Sequence, residues 1–478
     1  MSFIRSISGV RATLGDALTP AIIADYCVAF SSILEEGPIV IGRDGRPSGV
    51  WMCDIVVGAL RACGRSVVVL DMVPTPTVQL VVEKSDAAGG ISITASHNPE
   101  QWNGLKFIAS DGVFLDADGN ARMWARLEES PHGAISARAH TPDAPDSEFV
   151  HALQGAQQRG GITHSTTAIQ EHLNAILAMP SVKGAPRARG QTVVVDAVNS
   201  SGSFAVPELL EACGYTVVRL YCDGSGEFPH APEPIAENLT FLGEAVREHG
   251  AAFGVAVDPD GDRLVLLDET GEPIGEELTI VLATEAVLSE GARGPVVVNY
   301  STTRRVDDVA ARFGCSTHRA PVGEINVVRR MQQLHAVIGG EGSGGVIDPR
   351  VHYGRDALVG IGLITSLLRT RGVSLKQAVA SLPAFAMIKT KVALTQSALS
   401  ATSTAGNTST ASLALERVAA GLHDASISRE DGVYASWPDR WVHVRTSNTE
   451  PIMRIIVEAP YQHDAVALLA RVTALAEM

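Results

Sequence analysis

At 478 residues the chain is too long for one hydrophobic core, so two to four domains are expected. Its 45% hydrophobic and 19% charged residues describe an ordinary globular protein, while a formal charge of −15 with no basic stripe argues against a nucleic-acid partner. No window approaches the roughly 18 apolar residues of a membrane span, and Met-Ser-Phe-Ile-Arg does not open a signal sequence, so a cytoplasmic protein without a membrane partner is expected.

The first segment holds Ser8-Gly9-Val10-Arg11. An amphipathic helix is expected over Thr19 to Leu34, started by Thr19-Pro20, then a strand at Pro38 to Ile41, a helix from Gly49 to Cys63 and a strand from Val67 to Leu70. Strand, helix, strand is the pattern of a parallel α/β sheet. It recurs: Arg61-Ala-Cys-Gly-Arg-Ser-Val-Val-Val-Leu70 matches Glu211-Ala-Cys-Gly-Tyr-Thr-Val-Val-Arg-Leu220, and Ala311-Arg-Phe-Gly314 is a weaker third copy.

Each of the three units closes on a short apolar strand that delivers a polar loop: Ser92 to Ser96, Phe253 to Asp258, and Val337 to Glu341. Ligands gather at the carboxyl ends of parallel strands, so these loops are expected to face one cleft. Cys27, Cys53, Cys63, Cys213, Cys222 and Cys315 form no Cys-x-x-Cys pair and read as reduced core residues. The last hundred residues lack the repeat. Thr395 to Ser412 reads as a loop, followed by a helix near Leu413 to Leu422, strands at Gly432-Val-Tyr, Trp441 to Arg445 and Met453 to Val457, and a helix from His463 to Met478.

Four loops carry chemistry. In Thr94-Ala-Ser-His-Asn-Pro99, Asn98-Pro99 predicts a helical turn just past Ser96, setting the hydroxyl beside an anion-binding helix terminus, with His97 and Lys106 near enough in sequence to polarise oxygens; an ordinary capped turn is the alternative. Asp258-Pro-Asp-Gly-Asp-Arg263 spaces carboxylates at i, i+2 and i+4, which suits Mg²⁺ better than Ca²⁺. It is not an EF-hand, because Arg263 stands at the position of the sharp-turn glycine; an acidic surface turn remains the alternative. Arg263 beside these carboxylates balances charge or reaches a phosphate. Gly339 to Gly345 lacks the order of a nucleotide P-loop but offers Glu341 and Ser343, which suit sugar hydroxyls. Arg445-Thr-Ser-Asn-Thr-Glu-Pro451 can wrap a phosphate with a guanidinium fork and short donors, or form an Asx or Ser turn.

These four motifs, in this order and spanning essentially the whole chain, resemble those of the α-D-phosphohexomutase superfamily. The resemblance implies an α/β fold of three related domains with mixed sheets plus a C-terminal α+β domain around a central cleft. The divisions expected are 1–155 with the phosphoserine loop, 156–273 with the metal loop, 274–385 with the sugar loop and 386–478 with the phosphate loop. It also implies that Ser96 is phosphorylated, that Asp258, Asp260, Asp262 and the Ser96 phosphate hold Mg²⁺, and that Arg11 and Lys106 help proton transfer with Arg263 nearby. Glu341 and Ser343 would grip the sugar, and Arg445, Ser447, Asn448 and Thr449 the phosphate that is not transferred.

The activity implied is movement of a phosphoryl group between the two ends of a hexose phosphate, through a hexose 1,6-bisphosphate. Phosphoglucosamine mutase is favoured over phosphomannomutase or phosphoglucomutase, with a metal-dependent phosphatase and a non-catalytic sugar-phosphate binder as other readings and monomer or homodimer left open. Two departures bear on specificity. Gly345 stands where many bacterial members have His, so a basic group is missing or supplied by Arg304 or Arg355. Pro321-Val-Gly-Glu-Ile-Asn326 resembles the specificity loop, with Gly323 and with Glu324 in place of Asp or His.

Overall fold

The computed structural model describes residues 3–15, 17–129, 160–393, 410–446 and 452–477. Four sheets follow one another along the chain. The first contains β1 (Phe3–Ser6), β2 (Gly9–Thr13), β3 (Ile39–Arg43), β4 (Val67–Met72), β5 (Gly89–Ile93), β6 (Trp102–Ala109) and β7 (Ile162–His164), in the order β1-β2-β6-β5-β3-β4-β7. Because β7 pairs with β4, this sheet takes in residues beyond the division expected after residue 155.

The second sheet is β8 (Thr192–Asp196), β9 (Thr216–Tyr221), β10 (Phe253–Val257) and β11 (Leu264–Leu267), ordered β11-β10-β8-β9; the third is β12 (Val296–Asn299), β13 (Thr317–Ala320), β14 (Ile338–Glu341) and β15 (Gly345–Ile347), ordered β13-β12-β14-β15. The repeat seen in sequence is thus a repeat of topology. In each unit two parallel neighbours flank a central strand and one antiparallel strand, β6, β11 or β15, follows on the loop side; β11 and β15 are edge strands, whereas β6 also pairs with β2.

Parallel strands covered on both faces read as continuous apolar runs, and Val193, Val194 and Val195 are all fully buried. Ile23 and Tyr26 of helix Pro20–Ser32 and Met52 and Val56 of helix Ser48–Ala62 fill one face of the first sheet, while Val78 and Val82 of helix Thr75–Glu83 fill the other. The helix expected from Thr19 starts there because the Thr19 hydroxyl accepts from the Ile22 N–H (3.3 Å) and Pro20 needs no donor. Strand β14 is glycine-rich for a packing reason: a Cβ on Gly339 would lie 2.4 Å from Met331 Sδ, and one on Gly340 would lie 2.2 Å from the Gly345 carbonyl oxygen.

The fourth sheet is antiparallel: β16 (Ala386–Ala393), β17 (Ser426–Ser428), β18 (Val433–Ser436), β19 (Trp441–Thr446) and β20 (Ile452–Ala459), ordered β16-β20-β19-β18-β17. Helices Thr410–Gly421 and Gln462–Glu477 back it, so Thr410 to Ser412 are helical rather than part of the expected loop. The rest of that expected loop, residues 395–409, lies outside the described residues. Sheets three and four meet through polar contacts: Glu458 accepts from the Arg304 N–H (2.8 Å) and the Trp441 indole (2.6 Å) and bonds the Thr303 hydroxyl, and Ser301 Oγ lies 2.9 Å from His443 Nδ1. All six cysteines are free, and three of them, Cys27, Cys53 and Cys213, are buried. Among the described residues no helix is long and apolar enough to cross a membrane.

Candidate active site

A cavity of about 450 Å³ is lined by residues from all four sheets, among them Arg11, Lys106, Arg263, Glu341, Arg355 and Arg445. The expected helical turn after Ser96 does not form. Asn98 N–H bonds back to the Ala95 carbonyl (3.2 Å) and β6 starts at Trp102, leaving too few residues for a helix between two strands. Ser96 is instead held in a left-handed turn at φ +51°, 1% exposed, with its N–H on Thr94 Oγ1 (2.8 Å). Arg46, fully buried and ion-paired with Asp44, donates to the Ser96 carbonyl (2.8 Å) and to that of Asn98, so a cation anchors the loop from behind.

Ser96 Oγ points at the acidic loop and lies 2.9 Å from Asp258 Oδ2. The other Asp258 oxygen accepts from the N–H groups of Asp262 (3.1 Å) and Arg263 (3.2 Å), which curls the loop so that Asp260 and Asp262 face the same way. Lys106 Nζ bonds Asp260 Oδ2 (2.6 Å) and Asp262 Oδ2 (3.1 Å), and Thr75 Oγ1 bonds the same Asp260 oxygen (2.8 Å). Asp260 Oδ1 and Asp262 Oδ1 are buried without a hydrogen-bond partner. Two orphaned carboxylate oxygens beside Asp258, with ligand atoms of all three residues within 4.8 Å, fit a hard divalent cation.

The charges are set by burial and neighbours. Burial, then Asp262 and Asp260, pushes Asp258 well above the usual carboxylate range; for Asp262 the cost of burial is outweighed by Arg355, Lys106 and Arg263, which hold it low. Burial also works against the charge on Lys106, but Asp260 and Asp262 raise its pKa above the ordinary value. His97, whose Nδ1 is 3.4 Å from Ser96 Oγ, is pushed down to about 2 by burial and by Arg263 and Arg11, so its imidazole is neutral. Arg11 reaches Asn98 Oδ1 (3.4 Å), and burial lowers its pKa. Arg263 sits 3.8 Å from both Glu233 and Asp262.

Glu341 Oε1 accepts from Asn299 Nδ2 (2.7 Å) and the Gly323 N–H (3.1 Å), and Oε2 accepts from Arg355 Nη1 (2.6 Å). Glu324 is pushed up to about 7 by burial, partly relieved by Arg355. Ser343 and Gly323 line the cavity. Arg445 does so from β19, 3.9 Å from the Asp431 carboxylate, whereas Ser447, Asn448 and Thr449 lie outside the described residues. Of the two arginines considered in place of a His at position 345, Arg355 lines the cavity; Arg304 stacks on Phe385, with its guanidinium 5.1 Å from the ring centre.

Arg46, Thr75, Glu233, Glu277 and Lys389 were not singled out from sequence. Arg46 has one signal, the Gly42-Arg-Asp-Gly-Arg46 break after β3; Thr75 has only the prolines on either side.

Family models described as phosphoglucomutase/phosphomannomutase α/β/α domains I, II and III match residues 4–132, 170–271 and 275–385. A phosphoglucomutase/phosphomannomutase of Thermococcus kodakarensis is 33% identical over 96% of this chain and 94% of its own length. A probable phosphoglucosamine mutase of Methanopyrus kandleri is 31% identical over the same shares. In fold, a crystal structure of a phosphoglucomutase/phosphomannomutase family protein from Burkholderia thailandensis superposes with a TM-score of 0.80 at 23% identity, covering 99% of this chain and 97% of that one. Repeat, cavity and sequence similarity agree: the chain belongs to the phosphoglucomutase/phosphomannomutase family of the α-D-phosphohexomutase superfamily, whose members are isomerases that move a phosphoryl group within a hexose phosphate.

Proposed function

We propose that this phosphohexomutase works through phosphorylated Ser96 and that glucosamine 6-phosphate, converted to glucosamine 1-phosphate, is its preferred substrate. The observation that carries the mechanism is the 2.9 Å contact between Ser96 Oγ and Asp258, beside two buried aspartates with unpartnered oxygens, directly behind His97, Lys106 and Arg263 of the cavity lining. Asp258, Asp260 and Asp262 would hold Mg²⁺, which supplies charge neutralisation of the phosphoryl oxygens when bound.

A sugar hydroxyl oxygen bonds to phosphorus as the bond from phosphorus to Ser96 Oγ breaks; the hydroxyl proton is passed on and Ser96 is released as the alcohol. The hexose 1,6-bisphosphate so formed turns around, and its other phosphoryl group returns to Ser96. Lys106, held cationic by two aspartates, and Arg11 suit neutralising and proton-shuttling roles at the transfer end, with Arg263 and neutral His97 beside them. Glu341 and Ser343 would hold sugar hydroxyls, and Arg445 with Ser447, Asn448 and Thr449 the resting phosphate. Several relatives of similar length, from Methanopyrus kandleri and two Pyrococcus species, carry the name probable phosphoglucosamine mutase, which supports that substrate over mannose or glucose phosphate.

Intact mass of the purified protein tests the first half: a phosphate adduct is expected, and Ser96→Ala should remove both the adduct and nearly all turnover. Steady release of inorganic phosphate without a bisphosphate would overturn the mutase mechanism. Comparing kcat/KM for glucosamine, mannose and glucose phosphates tests the second half, and a strong preference for either neutral sugar overturns the substrate choice.

A further inference from the structure

One guanidinium ties the acidic loop to the sugar loop. Arg355 Nη2 donates to Asp262 Oδ2 (2.6 Å), Nη1 donates to Glu341 Oε2 (2.6 Å), and Nε lies 3.2 Å from Glu324 Oε2. Its side chain is 11% exposed and those of the three acids 5% or less, so the contacts are little screened by solvent. Asp262 lies on the loop after β10 and Glu341 at the end of β14, in different sheets, and among the described residues Arg355 is the side chain that bonds both. Arg355 engages Asp262 Oδ2, which Lys106 also reaches at 3.1 Å, and Glu341 Oε2, so that Asp262 Oδ1 stays unpartnered and the other Glu341 oxygen is held by Asn299 and Gly323.

The arginine stem passes over Gly345. A Cβ built there would lie 2.3 Å from Arg355 Cδ and 2.9 Å from Cγ, distances at which the arginine must move. A lysine cannot replace the fork, because an ammonium is a point charge while a guanidinium presents several donors in a fixed plane.

We propose that Arg355 is a positioning residue for the mutase reaction: it sets the orientation of Asp262 toward a divalent cation and of Glu341 toward the sugar, and Gly345 is required because a side chain there displaces it. The turnover part rests on the mutase reading; the binding part does not. The tests use Mn²⁺ alone, read by electron paramagnetic resonance, hexose phosphate binding to cation-free protein, and kcat and KM, in Arg355→Gln, Arg355→Lys, Gly345→Ala and the Gly345→Ala/Arg355→Gln pair.

Removal of a group that orients a metal ligand lowers metal affinity about 10–100-fold. Arg355→Gln is expected to lose Mn²⁺ affinity in that range and to weaken hexose phosphate binding as well; Arg355→Lys should restore at most one of the two. Gly345→Ala should show the same double loss with the arginine still present, and the pair should be no worse than Arg355→Gln alone, a non-additivity that general destabilisation does not produce. If Arg355→Gln does not fold, Gly345→Ala and Arg355→Lys carry the test. Mn²⁺ affinity within twofold of the parent in Gly345→Ala, or full recovery of both affinities in Arg355→Lys, overturns the proposal. A parent protein that binds Mn²⁺ and loses it on these substitutions, yet interconverts no hexose phosphate, overturns the mutase mechanism and leaves the positioning role standing.

Discussion

Arg46 lies fully buried behind the Ser96 loop, and its partner Asp44 also accepts from the Thr94 hydroxyl (2.7 Å). Arg46→Met would leave Asp44 as a buried charge without its cation, which costs about 3–5 kcal/mol. Urea unfolding should show that loss, and Arg46→Lys, which keeps the charge and loses the fork, should lose less. A second residue sets a pH dependence. Glu277 accepts from the Thr303 N–H (2.9 Å) and pairs with Lys389 (2.8 Å), but burial outweighs these and pushes its carboxyl up to about 7. Between its ordinary value and about pH 7 the folded state therefore binds more protons at this site than the unfolded chain, so its contribution to stability falls as pH rises through that window. Glu277→Gln should become more favourable relative to the parent by roughly 1–3 kcal/mol between pH 5 and pH 8, measured as the difference in unfolding free energy. A difference that stays flat or shrinks over this range would count against the assignment.

Helix Ala357–Arg371 starts on Asp356, whose Oδ1 accepts from the N–H groups of Leu358 (2.8 Å) and Val359 (3.3 Å) and whose Oδ2 lies 2.7 Å from His172 Nε2 and 3.1 Å from His352 Nε2. All three side chains are buried, and Thr77 Oγ1 lies 2.9 Å from the other nitrogen of His172, so helices Thr75–Glu83, Ala168–Leu177 and Ala357–Arg371 are pinned at one point. Asp356→Ala removes a cap worth about 1 kcal/mol and leaves two buried imidazoles short of an acceptor at about 1–3 kcal/mol. Counting that cost for each imidazole, a total loss of about 3–7 kcal/mol is expected in chemical denaturation. Element by element, helices Pro20–Ser32 and Ser48–Ala62, strands β3 and β4 and the loop-bearing strands β5, β10 and β14 were legible from apolar runs and caps. Strands β1, β2, β6, β7, β13, β15, β16 and β17 were not, since their pairing is decided by neighbours elsewhere in the chain rather than by local pattern. The loop after Ser96 misled because Asn98-Pro99 carries a helix-start signal that the following strand overrides.

Across the whole molecule, what sequence could show of the site was whatever lies within one loop. The unread part is contacts: Arg46 reaches Ser96 across 50 residues, Arg355 reaches Asp262 across 93, and Thr75 reaches Asp260 across 185. The fourth sheet is attached to the cavity by Lys389, whose ammonium lies 2.8 Å from both Glu276 and Glu277. Lys389→Met should loosen that attachment, raising KM for hexose phosphate several-fold and increasing amide exchange in β16, while thermal unfolding of the first three sheets is little changed. Unchanged KM and exchange would show that the polar contacts around Glu458 suffice.

The reactive segments after β5, β10 and β14 each run straight into an antiparallel partner, β6, β11 or β15, so both of their ends are laced into a ladder. Catalytic competence on warming should accordingly vanish together with far-ultraviolet ellipticity instead of fading several degrees beforehand, because these segments have no slack with which to melt by themselves.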